Sequence, residues 1–313
     1  MRNCTPEVAV IIPSYNQAAY LSSTILTVQQ QTFPDWELFI IDDGSTDSTA
    51  DIVRPFLTDE RVHYIKQRNQ ERAVARNRGL AESSAPYIAF LDADDLWHPE
   101  KLSRQIQAMK AHPDAGLCHT LTDDIDPNGT RLRKTGRSRA YSGQVFDRLL
   151  RSNFMVNSSV LIRRTSLTKV GVFDTELPVF GAEDWDLWLR IAREYSVCLV
   201  AEELTFYRLH PQNTSYGKVL KSSLAVVEKL YTGSERLPDA RVTRSEARAH
   251  LYLIAARTPE ISASNADRRH LLMLALRNYP LSLMTLAGAG ALARTFMPSL
   301  TSTIKSWVWR LKH

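Results

Sequence analysis

The segment 87–97 constrains this chain more than any other, because a buried strand within it ends in a cluster of acids. Its first five residues form an unbroken run of apolar and aromatic side chains, as expected for a strand covered on both faces of a parallel sheet. Asp92, Asp94 and Asp95 follow. Ligands of an open α/β sheet bind at the carboxyl ends of its strands, and carboxylates there suit Mg²⁺ or Mn²⁺ bound to a phosphorylated ligand. The alternative is a solvated acidic turn that caps the helix opened by Pro99.

Strands alternate with helices through the first hundred residues. Apolar runs predict strands at 8–13, 36–41, 61–66 and 87–91, and helical spacing predicts helices at 18–31, up to residue 56 and at 72–82. Asn16 is expected to cap the first helix. The second strand also ends in acids, Asp42 and Asp43, before a turn at Gly44. This alternation indicates an α/β fold with a mostly parallel central sheet flanked by helices.

The remainder of the chain is less regular. It predicts helices at 101–110 and 185–193, strands at 115–121, 156–162 and 197–200, and a polar loop or hairpin at 123–139. Beyond residue 216 the pattern becomes helical, with helices predicted at 218–231, 244–256 and 268–278. The last of these is too apolar for a free surface helix. A helical extension is therefore expected to follow the main domain.

Composition narrows the class of protein. A chain of 313 residues has room for one domain of roughly 200 to 250 residues and an appendage. Its 44% hydrophobic and 23% charged content excludes disordered and fibrous proteins. Cys4, Cys118 and Cys198 lack metal-binding spacing and are expected to be reduced thiols. Because neither an apolar signal core nor a run of eighteen apolar residues occurs, we expect a cytoplasmic protein that does not span the membrane.

The net charge of +5 comes from the C-terminal end. Seven of the 39 basic residues and none of the 34 acidic residues lie from Arg268 onward, so the rest of the chain is nearly neutral. A nucleic-acid binder would carry basic residues across its main face, so no nucleic-acid partner is expected. Apolar stretches flanked by cations, Trp307 and Trp309 suit an anchor at the inner surface of a membrane. A helical cap packed on the main domain, or on a second subunit, is the alternative.

Five motifs occur in series along the chain. They are Val-Ile-Ile-Pro-Ser-Tyr-Asn at 10–16, Asp-Asp-Gly-Ser at 42–45, Ala-Arg-Asn-Arg-Gly at 75–79, Leu-Asp-Ala-Asp-Asp at 91–95 and Glu-Asp-Trp-Asp at 183–186. In order and spacing they resemble the motifs of family 2 glycosyltransferases, over residues 6–216. The resemblance implies a GT-A fold, a nucleotide-sugar donor, a divalent cation (Mn²⁺ or Mg²⁺) and inversion at the anomeric carbon.

The same resemblance implies a division of the chain. Residues 1–216 would form the GT-A catalytic domain, with a nucleotide-sugar-binding half at 6–100 and an acceptor and catalytic-base half at 101–216. Residues 217–313 would form the basic, helical C-terminal extension.

Several donor-binding residues are implied by the matched motifs. Pro13 and Tyr15 would line the pocket of the nucleotide base, and Asp43 would accept a hydrogen bond from a base N–H. Arg72 and Arg76 could neutralise phosphate, although arginines on a helix commonly form a solvated face. The sequence also departs from the family's glycine-containing pattern just before the Ala-Arg-Asn-Arg-Gly motif.

The metal site is implied by the motif at 91–95. Asp92 and Asp94 would be its metal-binding acids, with Asp94 as the direct ligand, Asp92 nearer the ribose and Ala93 between them in the donor site; the role of Asp95 stays open. His210 lies where a histidine of this family approaches the diphosphate or the metal. The alternative for His210 is a structural role.

The catalytic base is implied by the motif at 183–186. Acids in the first turn of a helix commonly just complement the helix dipole. The resemblance instead makes Asp184 the expected general base, with Glu183 and Trp185 as candidates for the acceptor side. A core position is the alternative for Trp185 and is expected for Trp188.

The predicted function is therefore that of an inverting glycosyltransferase using a UDP- or dTDP-linked sugar. Its acceptor would be a hydroxyl of a glycan or lipid-linked glycan in cell-surface or polysaccharide synthesis. One alternative is a phosphohydrolase with Asp92 as nucleophile and Asp94 as acid. Another is a catalytically silent module that binds nucleotide sugars.

Overall fold

The computed structural model describes residues 5–132, 139–177, 181–213, 215–232, 240–258, 261–262 and 264–281. The chain divides into two compact units. The first comprises Met1–Phe146, Asn153–Glu176 and Glu183–Asn213, and the second comprises Asp147–Ser152, Leu177–Ala182 and Thr214–His313.

A sheet of eight strands is the framework of the first unit. In chain order the strands are β1 (Val8–Ser14), β2 (Trp36–Asp42), β3 (Val62–Lys66), β4 (Tyr87–Phe90), β5 (Leu96–Trp97), β6 (Ala115–Ile125), β7 (Val160–Arg163) and β8 (Ser196–Arg208). Their order across the sheet is β3-β2-β1-β4-β7-β6-β8-β5. Among the described residues, four of the seven neighbouring strand pairs are parallel, so the predicted mostly parallel α/β sheet is confirmed.

Helices connect these strands. In chain order they are α1 (Ala18–Gln29), α2 (Thr49–Val53), α3 (Glu71–Glu82), α4 (Lys101–Ala111), α5 (Phe146–Arg151), α6 (Arg164–Val170) and α7 (Glu183–Glu194). The periodicity of α1 shows why it packs on the sheet: Leu21, Ile25 and Val28 recur at helical spacing and are fully buried, in one core cluster with Val10 and Ile12 of β1.

The parallel register brings the ends of three strands to one edge. Ser14 pairs with Asp42 at the ends of β1 and β2, and Ile11 pairs with Phe90 at the end of β4. The Leu91 N–H continues this pairing by donating to the Ile11 carbonyl at 3.1 Å. The acids that follow β2 and β4 therefore leave the sheet at the same edge, as the sequence predicts.

The predicted cap of α1 by Asn16 is wrong, because Asp47 of the loop after β2 caps this helix instead. Asn16 has a left-handed φ of 52°, and its Oδ1 accepts hydrogen bonds from the N–H groups of Thr46 and Asp47 at 2.8 and 3.3 Å. In return, Oδ2 of Asp47 accepts from the Ala18 N–H at the start of α1, at 3.0 Å. The loop after β2 thus caps the helix that follows β1.

The second half of the sheet and its connections differ from the predicted elements in five places. The strand predicted at 156–162 starts only at Val160, since Asn157–Ser159 form a 3₁₀ turn. Strand β8 runs much further than residue 200, because it pairs with both β6 and the unpredicted β5. Helices α5 and α6 were also not expected.

The hairpin interpretation of 123–139 is confirmed at its start. Strand β6 continues to Ile125, which bridges antiparallel to Arg131 across a turn closed by the Asp126 and Thr130 backbones. Residues 133–138 lie outside the described residues.

The second unit contains the predicted C-terminal helices α8 (Tyr216–Thr232), α9 (Arg244–Arg257) and α10 (Asn265–Asn278). Ser264 and Asp267 form a capping box at the start of α10. Leu253 of α9 and Leu272 of α10 belong to one buried cluster, which explains why α10 is so apolar. No helix within the described ranges is long and apolar enough to cross a bilayer. The apolar and tryptophan-containing tail at 282–313 lies outside the described residues.

We predict that Gly79→Ala lowers the free energy of unfolding by about 1–3 kcal/mol, because overpacking a full core strains it. A Cβ on Gly79 of α3 would lie 2.5 Å from Cγ2 of Ile11, which is fully buried in β1. Urea denaturation measures the loss. Gly217→Ala is the matched control: its Cβ meets no atom within 4 Å, so this variant should lose no stability. Equal unfolding midpoints for the two variants would contradict the packing argument.

Candidate active site

The turn after β2 uses its two acids differently. Asp42 is fully buried and structural, since its carboxylate accepts from the Ser45 N–H at 2.7 Å and from the Tyr64 hydroxyl. Oδ1 of Asp43 accepts from the Gln67 side chain at 2.7 Å and from the Gln70 N–H at 3.0 Å. Oδ2 of Asp43 accepts no hydrogen bond from the residues that the structure describes. One oxygen of Asp43 is therefore available to a ligand.

The residues expected around a nucleotide base are found at the end of β1. Pro13 is partly buried, and Tyr15 just beyond it is 49% exposed. The Asp43 N–H donates to the Ser14 carbonyl at 2.8 Å, which joins this strand end to the Asp43 turn. An exposed aromatic ring and a half-satisfied carboxylate thus lie on two joined segments.

Asp92 is held by two donors on one oxygen. Oδ1 accepts from Arg76 Nη2 and from Asn157 Nδ2, both at 2.9 Å, and the Asp92 N–H donates to Ser158 Oγ at 3.0 Å. The side chain remains 26% exposed. Asn157 and Ser158 were not predicted as site residues; the available signal was a run of polar residues at the start of a buried strand.

Asp95 anchors the acidic turn instead of facing a ligand. It is fully buried; Ser158 Oγ donates to Oδ2 at 2.5 Å, and the Arg208 N–H donates to Oδ1 at 3.0 Å. Burial, with the nearby charge of Asp94, raises the pKa of Asp95 well above its usual range. Arg208 Nε also donates to the Asp94 carbonyl at 2.6 Å. The whole turn is thereby fixed to the end of β8. The Ala93 carbonyl of this turn accepts from Thr24 of α1 at 2.9 Å.

Asp94 and His210 lie 116 residues apart in the chain and are brought together by the fold. Asp94 Oδ2 lies 2.9 Å from His210 Nε2, and His210 Nδ1 lies 2.9 Å from Gln212 Oε1. The hydrogen bond with Asp94 raises the pKa of His210. The pairing supports the prediction that these two side chains work at one point. Asp92, the third predicted ligand, turns one oxygen toward Arg76.

The chemistry of this pair fits a divalent cation. A carboxylate oxygen suits Mg²⁺ and Mn²⁺, and an imidazole nitrogen suits transition metals. In this structure the two groups are hydrogen-bonded to each other, so a cation would take the place of the shared proton. No group of three or more acidic, histidine or cysteine side chains suited to a metal occurs in the described part of the chain.

Helix α7 has three acids in its first turn, of which Glu183 and Asp184 are the predicted site residues. Glu183 is buried; its Oε1 accepts from Arg76 Nη1 at 2.8 Å and lies 3.7 Å from Arg72 Nε. Asp184 is partly exposed, and its Oδ1 accepts from the Trp185 N–H at 2.7 Å. Burial raises the pKa of Asp184 to about 7, Glu183 and Asp92 add to the rise, and Arg76 opposes it. A carboxylate with such a pKa can accept a proton near neutral pH.

The remaining predicted residues divide into buried and exposed ones. Trp185 is only 1% exposed and Trp188 is fully buried, so both rings lie in the core. In this conformation Trp185 offers no face to a sugar. Arg72 is 43% exposed, whereas Arg76 is buried between carboxylates, so the two predicted phosphate-binding arginines differ in access.

Residues 9–171 match the family model described as Glycosyl transferase family 2. The match spans more than half of the chain, so the chain belongs to glycosyl transferase family 2. The resemblance drawn from five motifs is confirmed, and family membership removes the basis for the phosphohydrolase alternative.

Curated proteins of several bacteria are similar to this chain in sequence. TuaG of Bacillus subtilis, whose name assigns it to teichuronic acid biosynthesis, is 32% identical over 222 residues, which cover 70% of this chain and 85% of TuaG. WfgD of Escherichia coli, named as a UDP-Glc:alpha-D-GlcNAc-diphosphoundecaprenol beta-1,3-glucosyltransferase, is 30% identical over 194 residues, covering 62% of this chain and 72% of WfgD. The chain spans only 31% to 36% of the length of some other curated relatives.

Solved structures give the same fold. The mannosyltransferase PcManGT of Pyrobaculum calidifontis, determined with GDP-Man and Mn²⁺, has a TM-score of 0.61 and 17% identity, covering 95% of this chain and 88% of that one. At this identity the likeness shows the fold alone. The predicted GT-A fold is confirmed.

Proposed function

We propose that this family 2 glycosyltransferase moves a sugar, with inversion, from a UDP- or dTDP-linked donor to a hydroxyl of a glycan or lipid-linked glycan. We assign it to cell-surface polysaccharide synthesis, as the names of TuaG and WfgD support. The carrying observation is a hydrogen-bonded chain from Asp92 through Arg76 to Glu183, which ties the acidic turn after β4 to the residue before Asp184.

Donor recognition would use the end of β1 and the turn after β2. Uracil and thymine share an N–H flanked by two carbonyls, and Oδ2 of Asp43 can accept a hydrogen bond from that group. Tyr15 is exposed enough to stack on a base, and Pro13 would form the floor. The open oxygen of Asp92 can accept from a ribose hydroxyl.

Asp94 and His210 would hold the divalent cation, and Arg72 is the accessible cation for a phosphate. Bound there, Mn²⁺ or Mg²⁺ would supply positive charge to a diphosphate leaving group. The fixed turn around Asp95 keeps Asp94 directed toward His210 with little reorganisation.

Asp184 would act as the general base. An acceptor hydroxyl is a weak nucleophile at neutral pH, and a carboxylate with a pKa of about 7 is suited to removing its proton as it attacks. A single displacement with one base inverts the anomeric centre. Oδ2 of Asp184 accepts no hydrogen bond from the described residues, so this oxygen is open to an acceptor.

A membrane contact is the last part of the proposal. Arg269, Met273 and Arg277 are exposed at spacings of four residues along α10, so they share one face. A basic face with an exposed apolar side chain suits an anionic bilayer, where a lipid-linked acceptor would reside. Residues 1–216 would then carry catalysis and 217–313 the contact.

Asp184→Asn should lower turnover by about 10²-fold or more, because the proton acceptor is lost at constant size. Wild-type turnover should rise as the pH is raised through about 7, since protonated Asp184 cannot act as a base. UDP binding should barely change. Initial rates against pH and calorimetry measure both effects, with Glu194→Gln at the other end of α7 as control. Normal turnover, or an equal loss of UDP binding, would remove Asp184 from this role.

Asp94→Asn should abolish the gain in UDP affinity that Mn²⁺ gives the wild-type protein, a loss of about 10- to 100-fold. Titrating UDP by calorimetry, with and without Mn²⁺, tests this without requiring turnover. Asp51→Asn, which alters an exposed acid paired with Arg54, is the control. A variant that keeps the Mn²⁺-dependent gain would show that the cation is held elsewhere.

Changing Arg269 and Arg277 together to Gln should weaken binding to vesicles of anionic lipid by about 30-fold, from about 1 kcal/mol per cation. Co-flotation at low salt measures it, and added salt should weaken wild-type binding. The control changes Arg54 and Arg78, two exposed arginines of the first unit, to Gln. A full-length protein that ignores such vesicles would exclude the contact.

A further inference from the structure

Arg76 connects three segments that are far apart in the chain. It lies on α3, and its side chain is only 2% exposed. Nη2 donates to Asp92 after β4 at 2.9 Å, and Nη1 donates to Glu183 on α7 at 2.8 Å. The two partners are 16 and 107 residues away. One planar guanidinium thus spans the donor motif and the helix that carries the base, a geometry that suits arginine and not lysine.

The surroundings of Arg76 leave no access for a phosphate. Its guanidinium carbon lies 5.4 Å from the centre of the Phe173 ring. Asn77, the next residue, holds that segment through two hydrogen bonds with the Phe173 backbone, at 2.8 and 3.0 Å. On the sheet side, Gly79 brings α3 against Ile11. With a side chain only 2% exposed, Arg76 offers almost no surface to a phosphate, and its buried Nε has no hydrogen-bond partner among the described residues.

The charge of Arg76 also affects the pKa of the neighbouring acids. Burial opposes its charge, but Asp92, Glu183 and Asp184 raise the pKa of the guanidinium, so it stays charged. In turn its charge opposes the rise in the pKa of Asp184. Arg72 also approaches Glu183, but it is partly solvated and at 3.7 Å, so its field is better screened.

We propose that Arg76 is a positioning residue that locks the donor-binding turn and the base-carrying helix to each other, and that it does not bind the diphosphate. This inference rests on the proposed function, because it assigns donor and base roles to the two segments it joins. It also explains three residues of the Ala-Arg-Asn-Arg-Gly motif. Arg76 bridges the two carboxylates, Asn77 holds the segment at Phe173, and Gly79 permits close packing of α3 on β1.

The first test compares uridine with UDP as ligands of wild-type protein and the Arg76→Met variant. A positioning residue acts through Asp92 and the turn around it, so the affinities for uridine and UDP should fall by the same factor. If Arg76 instead bound the diphosphate directly, its loss would leave uridine binding unchanged and weaken UDP binding alone. That result would overturn the proposal. Arg78→Met, which alters an exposed arginine of the same helix, should change neither affinity.

The second test is the pH profile of turnover. Without Arg76, Asp184 should take up its proton at a higher pH, so the acidic limb of the profile should move up by about one unit or more. Turnover at neutral pH should fall by about 10²-fold and partly recover as the pH rises. Arg76→Lys keeps a charge but cannot bridge both partners, so it should lose turnover with a smaller shift of the limb. An unmoved limb in Arg76→Met would contradict the proposal.

Arg76→Met leaves Glu183 buried without its cation, so this variant could fail to fold. The double variant Arg76→Met/Glu183→Gln also removes the Glu183 charge. If Arg76→Met does not fold, the uridine and UDP affinities are compared in this double variant instead. If the wild-type protein transfers no sugar and binds neither ligand, the proposed function itself has failed. The structural role of Arg76 is then tested by urea unfolding of Arg76→Met, Glu183→Gln and the double variant. Non-additive losses of unfolding free energy support the proposal, and additive losses overturn it.

Discussion

The gathering of negative charge at one edge of the sheet is the constraint on which the first unit depends. Parallel strands deliver Asp42, Asp43, Asp92, Asp94 and Asp95 to this edge, and buried carboxylates are tolerated only when donors or cations satisfy them. Hydroxyl and backbone donors fully engage the two most deeply buried of these acids. Two others keep one oxygen open, and the last faces a histidine. The number of hydrogen bonds that each carboxylate accepts therefore separates the structural acids from the acids that can contact a ligand.

The strands and helices of the first hundred residues follow from local pattern, which is why the sequence predicts them well. β1, β2 and β4 are mainly apolar runs covered on both faces, and α1 and α3 have one buried stripe each. Local pattern fails at 157–159, where the polar side chains have other uses: Asn157 and Ser158 bind the acids of the turn after β4, and Ser159 bonds to the backbone of Val156. Here side-chain hydrogen bonding overrides strand formation.

In the site, too, the sequence predicts what depends on local motifs and misses what depends on distant residues. The acids and the first turn of α7 could be located from sequence because motifs mark them. Their individual roles could not, since Asp42 differs from Asp43 through Tyr64 on another strand, and Asp95 differs from Asp94 through Arg208, more than a hundred residues away. Arg76 is the sharpest case: a helix arginine is usually solvated, and only the tertiary fold buries it between two carboxylates.

The reciprocal hydrogen bonds between the loops after β1 and β2 limit how this part of the protein can be altered. Because Asn16 completes the second loop and Asp47 completes the start of the first helix, neither loop keeps its shape without the other. Insertions or transplanted sequences in one loop alone would leave a helix end unsatisfied and shift both Tyr15 and Asp43. Under the proposed donor site, changing the nucleotide preference by loop grafting would therefore require moving the two loops together, taken from the same source.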